Sequence, residues 1–173
     1  MAENTKILVL GGARSGKSSY AESLGDAHGG PLTYIATAEV WDDEMKARIT
    51  AHIERRGEKW TTVEAPVGLV DAIAEHARED GFILVDCLTL WLTNVILGEH
   101  DVEAAVTELA HALPGTPGTL VLVSNEVGLG IVPENALARR FRDEAGRLNQ
   151  QMAQICDEVV FIAAGLPLKL KPQ

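Results

Sequence analysis

Residues 11–18 read Gly-Gly-Ala-Arg-Ser-Gly-Lys-Ser and match GxxxxGK[ST] in full. They follow the apolar run Lys6-Ile-Leu-Val-Leu10 and lead into a helical stretch from about Lys17. That strand–loop–helix setting is the one the pattern needs. The expected contacts are with phosphate. Backbone N–H groups of Gly11, Gly12, Ala13, Arg14, Ser15 and Gly16 turn inward around phosphate oxygens, and the glycines permit the turn. Lys17 brings a positive charge to the β- and γ-phosphates, Ser18 is the expected Mg2+ ligand, and the helix N-terminus adds its dipole. A chance glycine-rich turn is the competing reading, and both residues and setting count against it. The loop implies a nucleoside triphosphate, GTP or ATP, and names no reaction.

The remainder of the chain fits a sheet built around that loop. Apolar stretches at 32–37, 60–65, 82–85, 119–124 and 158–163 read as strands. Residues 166–171 read as a final edge strand, because Pro167 excludes a central one. Helices are expected over about 42–56, 67–78, 88–97, 102–113 and 134–156, the last opened by Pro133 in a favoured first position. Asp42 and Asp43 suit a helix start, and Gly57 suits a stop. Alternating strands and helices predict an α/β fold, a mostly parallel sheet with helices on both faces. With 173 residues and no linker or repeat, one domain over 1–173 is expected.

Composition narrows the function. Hydrophobic residues make up 46% and charged residues 23%, which excludes a disordered chain. Fifteen basic against 25 acidic residues give a net charge of −10, against a general nucleic-acid or membrane-surface binder. A small anionic ligand needs only a local positive pocket. Cys87 and Cys156 stand far apart with no CxxC, so neither zinc nor a disulfide is expected. No apolar run approaches the roughly 18 residues of a membrane span, and no signal-peptide pattern is visible. A cytoplasmic protein is expected.

Three further places carry candidate chemistry. Asp86 ends the apolar strand 82–85, where an acid binds Mg2+ or caps the next helix. Asn125 and Glu126 begin a loop at a strand's carboxyl end, where open sheets build ligand sites; Gly128 and Gly130 permit close approach there. On the charged helix, Met45, Ile49 and Ile53 form an apolar stripe, with His52 beside it. Arg48 and Arg55 share a face with His52, which suits phosphate and favours a neutral imidazole able to attack phosphorus. Helical geometry alone equally describes a histidine at the edge of a packed stripe, and favours it. His28, His76, His100 and His111 read as surface or ordinary helix residues. In the last helix Leu137, Phe141, Leu148, Met152 and Ile155 are the expected core stripe. Of Arg139, Arg140, Arg142 and Arg147, one or two would reach phosphate and most would be solvated or paired with Asp143 and Glu144.

Four blocks occur in order along the chain. They are Gly11-Gly-Ala-Arg-Ser-Gly-Lys-Ser18; Asp42-Asp-Glu-Met45 with Arg48-Ile49 and His52; Val85-Asp-Cys-Leu-Thr-Leu-Trp-Leu-Thr-Asn94; and Asn125-Glu-Val-Gly-Leu-Gly-Ile-Val-Pro-Glu-Asn135 continuing to Arg147-Leu-Asn-Gln150. Together they resemble the bifunctional adenosylcobinamide kinase / adenosylcobinamide-phosphate guanylyltransferase family of cobalamin biosynthesis. The resemblance implies a P-loop NTPase-like, RecA-like sheet and homo-oligomers, reported as trimers. It implies two reactions: phosphorylation of adenosylcobinamide, then transfer of GMP from GTP to adenosylcobinamide phosphate through GMP on a histidine. By motif position that histidine is His52, which reverses the geometric preference. Lys17 joins it as a catalytic candidate, Ser18 and Asp86 as metal ligands, and Glu126 as a contact to guanine or metal. Arg48 and Arg55, by helix geometry, would steady the phosphate at His52. The rivals are a P-loop kinase for another small alcohol or nucleotide, and a nucleotide-binding regulatory switch. The absence of an NKxD motif counts against the switch.

Overall fold

The computed structural model describes residues 4–39, 46, 50, 53, 54 and 56–172. In chain order the elements are β1 (Lys6–Gly11), α1 (Lys17–Asp26), β2 (Leu32–Ala36), β3 (Trp60–Glu64), α2 (Leu69–His76), β4 (Phe82–Asp86), α3 (Leu88–Leu97), α4 (Val102–Ala112), a 3-10 turn (Leu113–Gly115), β5 (Thr119–Asn125), α5 (Ala136–Ile155), β6 (Glu158–Ala163) and β7 (Leu166–Lys171). The strands form one sheet in the order β3-β2-β4-β5-β1-β6-β7. Every neighbouring pair is parallel except β6–β7. The expected mostly parallel sheet is therefore present, and Pro167 does sit in the edge strand.

Both faces of the central strands are covered, so their side chains are apolar without alternation. Leu8, Ile83, Val85, Leu120 and Leu122 point to one face, where α2, α3, α4 and α5 pack through Leu69, Ile73, Trp91, Leu92, Leu109, Leu148 and Met152. Val9, Leu84, Val121 and Val123 point to the other, against Ala21 of α1. There Tyr34, Trp60 and Phe82 meet edge to face. Gly25 makes that packing possible: a Cβ on it would stand 2.4 Å from the Trp60 ring. Among the described residues no helix is long and apolar enough to cross a membrane.

Four details differ from the sequence reading. The last helix starts at Ala136, not beside Pro133, because the Asn135 side chain accepts from the Ala138 N–H and caps it. Leu137 is 49% exposed and leaves the expected core stripe; Phe141 and Ile155, half-buried, pack against the core as expected, and Ala145 joins Leu148 and Met152 within it. A 20-residue helix is about 30 Å long and overhangs six-residue strands of about 20 Å, so its first turn has no sheet to pack on. The second helix is shorter, Leu69–His76 rather than 67–78. Its expected first residue, Val67, uses its carbonyl to accept from the Trp91 indole N–H instead. Of the charged helix over 42–56, only 46, 50, 53, 54 and 56 are described, and all five are helical. Among the described residues at this end, Ile53 is exposed and Arg56 is buried.

Candidate nucleotide site

The order β4-β5-β1 brings the carboxyl ends of these three strands, with the loops that follow them, to one edge of the sheet. The loop after β1 wraps the start of α1. Gly16 adopts φ +99°, a conformation side chains rarely tolerate, and a Cβ there would also meet the Gly165 Cα at 3.3 Å. The Gly165 N–H donates to the Ser15 carbonyl at 2.8 Å, so the β6–β7 turn buttresses the loop from behind. Ala13 and Arg14 are exposed on its outer side, Arg14 with φ 53°.

Lys17 is buried, and its Nζ donates to the Gly12 carbonyl at 2.5 Å. Loss of water lowers its pKa below the ordinary lysine value of 10.5; Cys87 and Asp86 oppose that shift. The ammonium thus folds back over the loop it is meant to serve. Ser18 Oγ donates to Asp86 Oδ2 at 2.7 Å, although the two residues are 68 positions apart. The Tyr34 hydroxyl donates to the same Oδ2 at 2.9 Å. Ser18 and Asp86 were expected to share a metal, and the fold puts them in direct contact.

The loop after β5 joins the same edge. The Glu126 N–H donates to the Gly11 carbonyl at 2.9 Å, which ties the two loops together. Its carboxylate accepts from the Gly128 N–H and closes a tight local turn. Asn125 is held by its backbone: its N–H donates to Thr89 Oγ1, and its carbonyl accepts from the Asn149 amide. Ser124 Oγ donates to Asn149 Oδ1 at 2.7 Å. A second buried group sits beside it. Thr37 Oγ1 donates to the Cys87 carbonyl and accepts from the Cys87 N–H. The Asn94 amide donates to both the Thr37 and the Pro66 carbonyls, at 2.8 and 2.9 Å.

The structure therefore gathers Gly11 to Ser18, Asp86, Asn125 and Glu126. Candidates His52, Arg48 and Arg55 lie outside the described residues. Three of the four arginines of α5 are engaged locally: Arg139 with the Pro133 and Glu134 carbonyls, Arg142 with Asp143, Arg147 with Glu144. Sequence reasoning assigned no role to Tyr34, Arg56, Thr37, Thr89, Asn94 or Asn149. Thr89, Asn94 and Asn149 stood inside the recognised blocks, and polar residues within apolar helical runs were the available signal.

Hard oxygen donors from Ser18 and Asp86 suit Mg2+, which takes one or two protein oxygens and fills its shell with phosphate and water. Among the described residues no set of three or more His, Cys, Asp or Glu side chains forms a metal cage. The donor chemistry thus fits a metal that arrives with a nucleotide.

A family model described as cobinamide kinase / cobinamide phosphate guanyltransferase matches residues 7–170. The chain belongs to this family. Relatives of this cobinamide kinase / guanyltransferase chain include a bifunctional adenosylcobalamin biosynthesis protein, CobP, of Pseudomonas aeruginosa. It is 47% identical over 166 residues, covering 95% of this chain and 96% of its own. CobU proteins of Salmonella typhimurium and Escherichia coli, with the same bifunctional description, are 45% and 42% identical over 181 residues, covering 95% of this chain and 99% of theirs. Among solved structures, an ATPase from the type III secretion system of pathogenic bacteria superposes with a TM-score of 0.60 at 10% identity. The match covers 96% of this chain and 57% of that one. The flagellar accessory protein FlaH from Methanocaldococcus jannaschii gives 0.54 at 12% identity, over 99% and 80%. These likenesses concern the fold.

Proposed function

We propose that the protein is a bifunctional enzyme of cobalamin biosynthesis. It phosphorylates adenosylcobinamide with a nucleoside triphosphate, then transfers GMP from GTP to adenosylcobinamide phosphate. The observation that carries this reading is the Ser18–Asp86 contact beneath an intact phosphate loop, in a chain matched to the family from residue 7 to 170.

In the first reaction the substrate hydroxyl oxygen bonds to the γ-phosphorus as the bond to the β-phosphate oxygen breaks. A nucleoside diphosphate leaves and the hydroxyl proton passes to solvent. The loop amides and Lys17 hold the triphosphate in line. Lys17 must swing from the Gly12 carbonyl to phosphate, a short rotation of a flexible stem. Mg2+ held by Ser18 and Asp86 supplies charge neutralisation when bound.

In the second reaction a ring nitrogen of neutral His52 attacks the α-phosphorus of GTP, and pyrophosphate leaves. The P–N bond then breaks as an oxygen of adenosylcobinamide phosphate takes the GMP, giving adenosylcobinamide-GDP. Arg48 and Arg55 steady the phosphate, and Glu126 contacts guanine or metal. The enzyme works in the cytoplasm as one kinase/guanylyltransferase domain, assembled as a homo-oligomer.

The test uses GTP labelled at the α-phosphate with Mg2+. Wild type is expected to retain acid-labile, base-stable label after denaturation, and His52→Ala none. Equal retention by both proteins would remove His52 from the covalent step. No retention by a wild type shown to bind GTP would favour a simple kinase or a nucleotide-binding switch.

A further inference from the structure

Beside the phosphate loop, five side chains from two strands and two helical segments close a ring. Ser18 and Glu22 stand one turn apart on α1. Ser18 bonds Asp86 at the end of β4, and Tyr34 of β2 bonds the same carboxylate oxygen. The Arg56 guanidinium lies flat over the Tyr34 ring, its Cζ 3.4 Å from the centroid. Arg56 Nη1 is 3.7 Å from Glu22 Oε1, which returns the ring to α1.

The Arg56 side chain is only 3% exposed, and a buried guanidinium needs compensation from its partners. Tyr34 is buried within an otherwise apolar aromatic cluster with Trp60 and Phe82. A phenylalanine would pack there equally well, so the hydroxyl's one distinct contribution is its bond to Asp86. Two donors, one from α1 and one from β2, converge on Oδ2 and restrain the carboxylate.

We propose that Tyr34 is a positioning residue that holds the Asp86 carboxylate for a nucleotide-bound divalent cation, and that Arg56 braces Tyr34 from behind. This rests on reading Ser18 and Asp86 as the metal pair. Arg56 also closes the charged stretch that ends at Gly57, so the brace joins that stretch to the helix beginning at the phosphate loop.

The experiment titrates Mg2+ against binding of a fluorescent GTP analogue to the full chain, with a parallel binding curve in EDTA. Tyr34→Phe is expected to raise half-saturating Mg2+ roughly tenfold, as loss of a group orienting a metal ligand does, and to leave binding in EDTA at the wild-type level. Arg56→Lys keeps the charge but loses the flat stack, and shifts the same quantity less, in the same direction. Wild-type half-saturation in Tyr34→Phe overturns the proposal, including when the variant's melting temperature falls, since the hydroxyl would then serve the fold alone. Ser18→Ala separates the two readings. If it leaves Mg2+ half-saturation unchanged, the metal pair itself falls and the proposal with it. If Ser18→Ala weakens Mg2+ and Tyr34→Phe does not, the proposal alone falls.

Discussion

Cys156 is fully buried just after α5. Burial first, then the Asp157 carboxylate, pushes its thiol up to about 12 from the ordinary 9.0, with Lys171 and Lys6 opposing. The unfolded chain releases this proton first as pH rises. Between 9.0 and about 12 the folded state holds more protons, so stability falls with rising pH. Cys156→Ala is expected to flatten that alkaline decline in a series of urea midpoints; an equally steep variant would exonerate the thiol. Lys6 works in the opposite sense, since burial lowers its ammonium and stability rises toward 10.5 on its account. The difference between wild type and variant isolates the thiol from it. At this scale the phosphate loop and Asp86 were legible because each stands at a strand end with a chemistry of its own. Tyr34 and Arg56 were not. Their roles depend on a contact between β2 and a residue 22 positions later, and a tyrosine in an apolar strand reads as packing. The arginines singled out by helical angle were Arg48 and Arg55, which lie outside the described residues, and not the buried Arg56.

Element boundaries follow from local competition. The sequence reading opened the last helix by Pro133; the structure opens it at Ala136, because the Asn135 side chain bonds the Ala138 N–H. Strand assignments were easier, since buried parallel strands read as unbroken apolar runs. Helix α3 shows what such a reading leaves out. It is apolar nearly all round, and Leu88, Trp91, Leu92 and Val95 are its evident contacts. Its structural role also rests on Asn94, whose amide holds the carbonyls that follow β2 and β3. Asn94→Leu removes both donors and leaves two carbonyls short of a partner, at about 1–3 kcal/mol each. A loss of roughly 3 kcal/mol in urea unfolding is expected. A variant as stable as wild type would show that the amide is dispensable.

The whole molecule presents apolar surface that its own core does not use. Leu129 is 85% exposed, Ile131 98% and Val132 60%, all on the loop that follows Glu126. Leu166, Leu168 and Leu170 are exposed on β7. Surface of this kind marks association, in keeping with the proposed homo-oligomer. Sedimentation equilibrium is expected to give about 56 kDa, three times the chain mass of 18.6 kDa. A single species at 18.6 kDa across the concentration range would overturn the assembly. The sheet order was beyond sequence reasoning, because strand adjacency depends on long-range pairing; the resemblance implied a RecA-like sheet without naming the order. That order also governs when the site comes into being. β5 is the spacer between β1 and β4, so Ser18 and Asp86 meet only after the strand at 119–125 has been inserted between segments made much earlier. The native grip on the triphosphate through both residues is built with β5 in place. Nucleotide is therefore a reporter of completed folding, and at a hundred times its dissociation constant it would add about 2.7 kcal/mol to the native state alone. A cell rich in nucleotide selects the finished chain over its precursors.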